Sequence, residues 1–335
     1  MKDGKRAILR GLRRIAHALG WDGARNDPYE TEKRRNKCIL ASKIGARVSA
    51  LCALVLALAL GIPIPAKAQV HFGEQPPAQW EGADVLEWTI FDVNEGDAML
   101  LRCGGESMLV DGGPAPFRED LRDALDELGL RRLTRFFNTH AHDDHIDGLY
   151  YLLTYGFTAE EYVHSYSPSA IEASELCNRT VEAAGKNGVP VRRVADGDTL
   201  TLGSAQLEVI QWTGILNANA RSLVLKVTFG GSTALLCADI IGDTQHALAQ
   251  SAPEGLLDAD LIKLPHHAIT AAVPEFLDAV SPEAAVVTNC ELRAGDGAKK
   301  QLCCRGIPAL FSGAGRVSAV TDGTDWYVWQ EEGKF

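Results

Sequence analysis

The sequence predicts a layered α/β domain whose functional residues lie at the ends of strands. Short apolar runs typical of strands recur along residues 85–329, and segments with helical periodicity lie between them. Several of these runs are followed directly by residues that can bind metal ions. Segments of this kind form sheets covered by helices, and functional side chains in such folds collect where strands end.

The individual elements follow from local patterns. The first strand-like runs cover residues 85–93, 98–103 and 107–111, and Gly104-Gly105 predicts a hairpin between the last two. Apolar residues recur at helical spacing through residues 117–128, and Gly129 marks the end of that helix. Further helices are predicted near residues 145–155 and 169–187. The remaining strands are predicted at residues 133–138, 162–164, 189–194, 206–212, 222–229, 233–237, 259–264, 284–288, 309–311, 316–321 and 326–329.

The N-terminal part of the chain has the composition of a targeting region. Residues 1–47 hold 13 Lys/Arg against 5 Asp/Glu, and residues 48–62 form an uncharged run followed by Ala66-Lys67-Ala68. A basic flank, an apolar core and an A-x-A pattern are typical of a secretory signal peptide, whereas an uncut run would act as a membrane anchor. We therefore predict four regions: a basic cytoplasmic region (1–47), a signal peptide or membrane anchor (48–68), a Pro/Gly-rich linker (69–85), and a folded domain (86–335).

The uneven distribution of charge predicts the location of the folded domain and disfavours nucleic acids as its partners. From Gln69 onward, 19 Lys/Arg stand against 39 Asp/Glu. The basic side should remain in the cytoplasm, so the domain is expected to be exported, either secreted or anchored to the outer face of the cytoplasmic membrane. Its acidic surface repels the phosphates of long nucleic acids, which disfavours them as partners. No protein partner can be inferred from the sequence. Six cysteines of this part permit disulfides without fixing a pairing: Cys103, Cys177, Cys237, Cys290, Cys303 and Cys304.

The most informative motif is His140-Ala141-His142-Asp143-Asp144-His145, directly after the strand predicted at residues 133–138. Its imidazoles and carboxylates are donors that suit Zn²⁺, Fe or Mn²⁺. A strand that turns into a helix here would direct His140 and His142 to one metal ion, and Asp144 and His145 to a second. A surface loop that is merely rich in His and Asp is the alternative.

Further candidate ligands follow later strands. Asp239 ends one apolar run, and a carboxylate between two metal ions would hold both and leave a bridging hydroxide as nucleophile. A helix cap is the alternative role for Asp239. His266 and His267 end another run, and because neighbouring residues on a strand face opposite sides, we expect one of the two to be a ligand. Asp111 is predicted either to orient a ligand imidazole or to shape a turn.

Together these motifs resemble the metallo-β-lactamase superfamily. The H-x-H-x-D-H motif at residues 140–145 is similar to the superfamily signature. Later segments resemble the branch formed by the hydrolase domain of ComEC-type DNA-uptake competence proteins and its exported stand-alone relatives. These segments are D-V-N-E-G-D-A (92–98), N-A-R-S-L-V-L (219–225), A-D (238–239), L-P-H-H-A (264–268), G-I-P (306–308) and T-D-G (321–323). The resemblance covers about residues 86–330 and implies a four-layer αββα sandwich with two divalent metal ions, typically zinc, in a cleft between two sheets.

The sequence also departs from this pattern. Asn219 stands where many members of the superfamily have another histidine ligand, Ala268 replaces a glycine, and no histidine follows His267. Asn219 and Asp111 are therefore auxiliary candidates. The expected metal ligands are His140, His142, Asp144, His145, Asp239, His266 and His267, with catalytic roles for Asp144 and Asp239.

These observations lead to the hypothesis of an exported dinuclear metal-dependent hydrolase. We expect it to be of the phosphodiesterase type and to act through a metal-bound hydroxide, with zinc as the expected metal and Mn or Fe as alternatives. The acidic charge of the folded domain favours small phosphoesters or cell-envelope polymers over long DNA as substrates. Two alternatives stay open: hydrolysis of a β-lactam, lactone or thioester on the same fold, and a binding domain that kept the fold without turnover.

Overall fold

A computed structural model describes residues 67–80 and 84–331 of the chain. The predicted basic region (1–47) and all but the last two residues of the predicted signal or anchor segment (48–68) lie outside these ranges. Within the described ranges, no helix combines the length and the apolar character needed to cross a membrane.

Two sheets form the centre of the domain. The first has nine strands in the order β1-β16-β15-β2-β3-β4-β5-β6-β7, and the second has seven in the order β14-β13-β12-β11-β10-β9-β8. The strands are β1 (Val70–Phe72), β2 (Leu86–Ile90), β3 (Met99–Cys103), β4 (Glu106–Val110), β5 (Arg132–Phe137), β6 (Thr158–His164), β7 (Val191–Arg193), β8 (Thr199–Leu202), β9 (Ala205–Ile210), β10 (Val224–Phe229), β11 (Ser232–Leu236), β12 (Leu261–Lys263), β13 (Ala284–Val287), β14 (Ala309–Phe311), β15 (Val317–Thr321) and β16 (Trp326–Gln330).

Helices cover the outer faces of both sheets. Over the first sheet lie α1 (Arg118–Glu127), α2 (Asp143–Thr154) and α4 (Glu175–Lys186), preceded by the short α3 (Pro168–Ala173). Over the second sheet lie α5 (Gly242–Ser251), α6 (Pro274–Val280) and α7 (Asp296–Arg305). As expected, Gly129 terminates α1: it lies two residues after the last helical residue, Glu127, and adopts a left-handed conformation with a φ of 72°.

The alternation of side chains along the strands produces the layers. On β3, Met99 and Leu101 belong to the apolar core between the sheets, whereas Leu100 packs outward among residues of α1 and α2. The central core joins residues of both sheets, such as Trp88 of β2 and Leu225 of β10. A second and a third core lie between each sheet and its helices. The predicted αββα sandwich is therefore confirmed for the described residues.

The predicted linker at residues 69–85 requires a correction. Residues 70–72 form β1, which pairs in parallel with β16, and the backbone N–H of Val70 donates to Glu283 at 3.2 Å. Val70 and Phe72 also pack against the central core, and Ala68 is buried. These apolar contacts outweigh the Pro/Gly-rich composition of the neighbouring residues, so the folded domain begins before residue 86.

Other local differences have clear physical causes. The helix predicted at residues 169–187 is interrupted at Ser174, whose hydroxyl accepts a hydrogen bond from the N–H of Cys177 and caps α4. β8, α6 and α7 are not predicted by the sequence patterns: β8 has four residues and α6 has seven, and only two residues of α7, Ala298 and Leu302, are buried. All six cysteines of the described residues are free.

Candidate metal centre

The candidate ligands lie in loops that follow strands at one end of the sandwich. Asp111 follows β4, and residues 138–142 follow β5 and lead into α2. Asp239 follows β11, and the pair at residues 266–267 follows β12. β4 runs parallel to β5, and β11 runs parallel to β12, so the two loops from each sheet leave the same edge. This topology brings all seven expected metal ligands into one cluster.

Asp239 lies at the centre of the cluster and is 1% exposed. Its Oδ2 is 3.3 Å from Nε2 of His145 and 3.8 Å from Nε2 of both His140 and His266. Its Oδ1 is 3.2 Å from Nε2 of His267. Four imidazole nitrogens therefore surround one carboxylate, which is the position expected of a ligand shared by two metal ions.

The alternative role of Asp239, a helix cap, is wrong. α5 begins at Gly242, the residue at its N-cap is Ile241, and no side chain caps it. Oδ1 of Asp239 is buried and accepts no hydrogen bond of good geometry from the described residues. A buried carboxylate oxygen in this state is costly unless a cation balances it.

One group of donors consists of His140, His142 and Asp239. Nε2 of His140 is 3.1 Å from Nδ1 of His142, and the donor atoms of all three residues lie within 4.8 Å of one another. Nδ1 of His140 contacts the hydroxyl of Thr139 at 3.1 Å, which leaves Nε2 to face Asp239. Burial, and then the neighbouring His145, lower the pKa of His140 well below its usual value. The ring is therefore neutral at pH 7, and neutral imidazole is the form that binds metal ions.

A second group consists of Asp144, His145, His267 and, again, Asp239. Nε2 of His145 and Nε2 of His267 are 3.3 Å apart, and Oδ2 of Asp144 is 3.3 Å from the latter. Burial acts to lower the pKa of His267, but the carboxylates of Asp239 and Asp144 together raise that pKa to about 10. Burial also acts to lower the pKa of His145, but Asp239 and Asp111 together raise it well above the usual value. Positive charge is thus favoured at the point where these four side chains meet.

His266 and His267 do not lie on a strand. They occupy a turn at Pro265–Ala268 and have φ values of 49° and 50°, in the left-handed region. Both rings consequently approach Asp239, so the strand geometry assumed for this pair is wrong. Among the described residues, His267 but not His266 belongs to a group of donors that lie within 4.8 Å of one another. That only one of the two is a ligand stays a prediction. The second auxiliary candidate lies beside them, because Nδ2 of Asn219 is 3.3 Å from Nε2 of His266. Oδ1 of Asn219 is buried and has no hydrogen-bond partner among the described residues.

Asp111 contacts His145 on the side of the ring that faces away from Asp239. Its Oδ2 is 2.7 Å from Nδ1 of His145 and accepts a hydrogen bond from the hydroxyl of Thr139 at 2.6 Å. Its Oδ1 accepts from the amide of Asn138 at 2.7 Å. A carboxylate on the far nitrogen fixes the tautomer of an imidazole and aims Nε2 at the metal position. This is the geometry expected for the orienting role of Asp111.

Sequence reasoning missed a buried ion pair beneath the centre. Nζ of Lys263 is 2.6 Å from Oδ2 of Asp97 and 3.7 Å from Oδ1 of Asp239, and it donates to the carbonyl of Ala238 at 2.9 Å. Both Lys263 and Asp97 are fully buried. Part of the signal was present, because Lys263 interrupts the apolar run at residues 261–264, and buried charges in proteins are paired.

Asp97 offers a carboxylate oxygen within 4.8 Å of the donor atoms of His145, His267 and Asp239, but we place Asp97 outside the set of metal ligands. Its carboxylate is 3.4 Å from Nδ1 of His267 and 3.8 Å from Nδ1 of His145. These nitrogens already contact Thr288 and Asp111, whereas the Nε2 atoms face Asp144 and Asp239. Asp97 therefore lies on the Nδ1 side of the two imidazoles and balances the charge of Lys263.

The donor set fits a dinuclear metal centre. Two groups of imidazole and carboxylate donors share one carboxylate, and buried oxygens of Asp239 and Asn219 lack hydrogen-bond donors among the described residues. Nitrogen and oxygen donors in this combination are compatible with zinc, manganese or iron, so the geometry does not fix the metal.

A close approach of two glycines sets the position of α2 and of the ligands it carries. A Cβ at Gly148 would lie 1.9 Å from the carbonyl oxygen of Gly112. The N–H of Gly112 donates to the carbonyl of His145 at 2.7 Å, and the N–H of Gly148 donates to Gly113 at 3.1 Å. The loop after β4 can pack against α2 only because both residues lack side chains.

We expect Gly148→Ala to push α2 away from this loop, to destabilise the protein by about 1–3 kcal/mol, and to weaken metal binding through His145. Gly185 of α4 is a matched control, because a Cβ there meets nothing within 4 Å. Gly185→Ala should be neutral or stabilising by up to about 1 kcal/mol. Urea unfolding and metal titration measure both effects. Equal stability and equal metal affinity of the two variants would contradict this account.

Comparisons with known proteins agree with this geometry. A family model described as the metallo-beta-lactamase superfamily matches residues 92–288. The metallo-β-lactamase fold protein YhfI from Bacillus subtilis is similar in structure, with a TM-score of 0.50 and 14% identity over 74% of this chain and 100% of YhfI. At this identity the likeness shows the fold alone. A search of curated proteins found no significant match.

Two further structures are more distant. CmlA, a diiron β-hydroxylase from Streptomyces venezuelae, aligns with a TM-score of 0.43 and 17% identity over 67% of this chain and 47% of CmlA. A diphosphatase from the PhnP family aligns with a TM-score of 0.38 and 15% identity over 61% of this chain and 87% of its own. Neither match carries weight for activity. The resemblance to the competence branch is not tested by these comparisons and stays a prediction.

Proposed function

Because the chain belongs to the metallo-β-lactamase superfamily and is a metal-dependent hydrolase of that class, we propose that it hydrolyses small phosphodiesters. The observation that carries the proposal is the position of Asp239, whose carboxylate is shared by two groups of metal donors. Two-metal sites are suited to displacement at phosphorus, since they stabilise both the attacking and the leaving oxygen.

Each residue of the centre has a distinct part in this proposal. His140, His142 and Asp239 would hold one metal ion, and Asp144, His145, His267 and Asp239 would hold the other. Divalent metal ions so placed lower the pKa of a bound water and neutralise charge on substrate oxygens. Asp144 is the most exposed carboxylate of the cluster, with 29% of its side chain accessible, so it faces the side from which substrate and water enter. Asp111 and Asp97 hold the Nδ1 side of the imidazoles and so keep the Nε2 atoms in place.

The electrostatics of the domain support a small substrate rather than long DNA. The folded part of the chain carries 39 Asp/Glu against 19 Lys/Arg from residue 69 onward, which repels an extended polyphosphate. A small phosphodiester, or a cell-envelope polymer with isolated phosphates, carries fewer negative charges and is repelled less strongly by the domain. The basic region and the apolar run that precede the domain support export, which protease accessibility of the domain in cells with a permeabilised envelope would test.

The proposal is tested by metal analysis combined with an ester panel. We expect about two metal ions per chain and turnover of bis(4-nitrophenyl) phosphate, with little turnover of 4-nitrophenyl phosphate, a lactone or nitrocefin. His246→Ala removes an exposed histidine of α5, outside the centre, and should change neither quantity. Turnover of nitrocefin or the lactone without the diester would favour the β-lactam, lactone or thioester alternative. Bound metal without any turnover would favour a binding domain.

A further inference from the structure

A cavity of about 440 Å³ opens beside His140, on the side of the first donor group. One wall comes from the segment after β6, with Ser165, Tyr166 and Ser167, and the other comes from the segment after β9, with residues 211–221. A cavity of this size accommodates part of a small molecule. A substrate held at the metal centre would therefore have room to extend into it.

The charge of this cavity is opposite to that of the domain. Arg193 and Arg221 line it, and none of its lining residues is acidic. Among the described residues, neither guanidinium lies within 4.0 Å of a carboxylate, whereas Arg192, next to Arg193, is 3.7 Å from Glu161. In a domain with about two acidic residues for each basic one, two arginines without acidic partners indicate a site for an anion.

The two arginines are held in place by the walls of the cavity. Nε of Arg221 donates to the carbonyl of Ile215 at 2.8 Å, and one terminal nitrogen donates to Thr213 at 3.1 Å. Nε of Arg193 donates to the carbonyl of Ser165 at 3.3 Å, and its terminal nitrogens make no hydrogen bond to the described residues. The forked end of Arg193 is thus available for a ligand, while its stem is anchored.

Gln211 joins the two walls. Its Nε2 donates to the hydroxyl oxygen of Ser165 at 3.1 Å and to the carbonyl of Arg221 at 2.7 Å. The hydroxyl of Ser165 can then donate its own proton into the cavity. The hydroxyls of Ser167 and Ser169 are 3.0 Å apart and share one hydrogen bond, which leaves one of their two protons for a ligand. Two guanidinium groups and two available hydroxyl protons offer more donors than a carboxylate accepts, and they match the three oxygens of a terminal phosphate.

We propose that this cavity binds a terminal phosphate group of the substrate, so that the preferred substrate is a small phosphodiester that carries a second, unhydrolysed phosphate. This inference rests on the proposed function, because the scissile diester is assigned to the metal centre. Arg193 is the principal phosphate-binding residue. Arg221 contributes charge and keeps residues 213–221 in position.

The first test compares two substrates that differ only in the second phosphate: thymidine 5′-(4-nitrophenyl phosphate) with and without a 3′-phosphate. We expect KM to be about tenfold lower for the 3′-phosphorylated substrate, with similar kcat, because charge-assisted hydrogen bonds to the phosphate are lost in the other. Arg193→Gln should remove this difference, Arg193→Lys should keep part of it, and the neighbouring Arg192→Gln should keep all of it. Equal KM values in the unaltered protein, or a preference that survives Arg193→Gln, would overturn the proposal.

A second test separates this inference from the proposed function. If the protein hydrolyses no diester, the binding of phenyl phosphate is measured by calorimetry for the same variants. Binding that weakens about tenfold in Arg193→Gln, but not in Arg192→Gln, supports the phosphate site independently of catalysis. Binding that is unchanged in Arg193→Gln, or benzoate that binds as tightly as phenyl phosphate, overturns the phosphate assignment.

Discussion

Asp239→Ala is expected to remove both metal ions and to reduce hydrolysis to background. Its carboxylate is approached by His145 at 3.3 Å, His267 at 3.2 Å, and His140 and His266 at 3.8 Å, so both donor groups lose their shared ligand. Replacing a residue that merely supports a metal ligand typically costs about 10–100-fold in affinity or activity. The loss of a shared ligand should therefore lower kcat by more than about a hundredfold. Metal stoichiometry and kcat for the diester measure the effect.

Single-ligand variants make this prediction specific. His140→Ala should chiefly empty the first site, and His267→Ala should chiefly empty the second, so each should retain about one metal ion. Asn219→Ala should be milder, because an amide oxygen is a weaker ligand than an imidazole. Circular dichroism of each variant shows whether the fold is intact. If Asp239→Ala keeps both metal ions and near-normal activity, the proposed centre is wrong, even though the fold is right.

The parts of the site that could be predicted are those encoded in short stretches of sequence. His140, His142, Asp144 and His145 lie within one strand-to-helix turn, so strand and helix periodicity alone place them together. Asp239 could be predicted because it ends an apolar run, and side chains at the ends of parallel strands meet at one edge. The layered fold followed from the same periodicity.

The parts that could not be predicted depend on contacts between distant residues. The two charges of the Asp97–Lys263 pair are far apart in sequence, and nothing local indicates that they meet. The turn at His266 and His267 needs three successive residues with positive φ, the third being Ala268, which strand patterning does not anticipate. The cavity at Arg193 likewise forms only when the segments after β6 and β9 approach each other. Such features need the folded backbone.

Lys263→Met is expected to destabilise the protein by about 3–5 kcal/mol, the usual cost of leaving one partner of a buried ion pair alone. Burial acts to raise the pKa of Asp97, but Lys263, and then His267 and His145, hold it well below its usual value. Without Lys263, the fully buried Asp97 carboxylate loses its 2.6 Å partner and repels Asp239. Because folded proteins are stable by only about 5–15 kcal/mol, this variant should be close to unfolding. The free energy of unfolding in urea measures the loss.

A double-mutant cycle separates the ion pair from the packing of the lysine stem. Adding Asp97→Asn to Lys263→Met should restore part of the lost stability, because the remaining amide is uncharged. Lys226→Met is the matched control, since Nζ of this lysine on β10 donates only to the carbonyl of Gly255, at 2.8 Å, among the described residues. That variant should lose less than about 1.5 kcal/mol, the range for a single hydrogen bond. If Lys263→Met and Lys226→Met were equally stable, the buried pair would not be the support of the metal centre. If Lys263→Met is destabilised and Asp97→Asn restores nothing, the cost comes from packing rather than from the uncompensated charge.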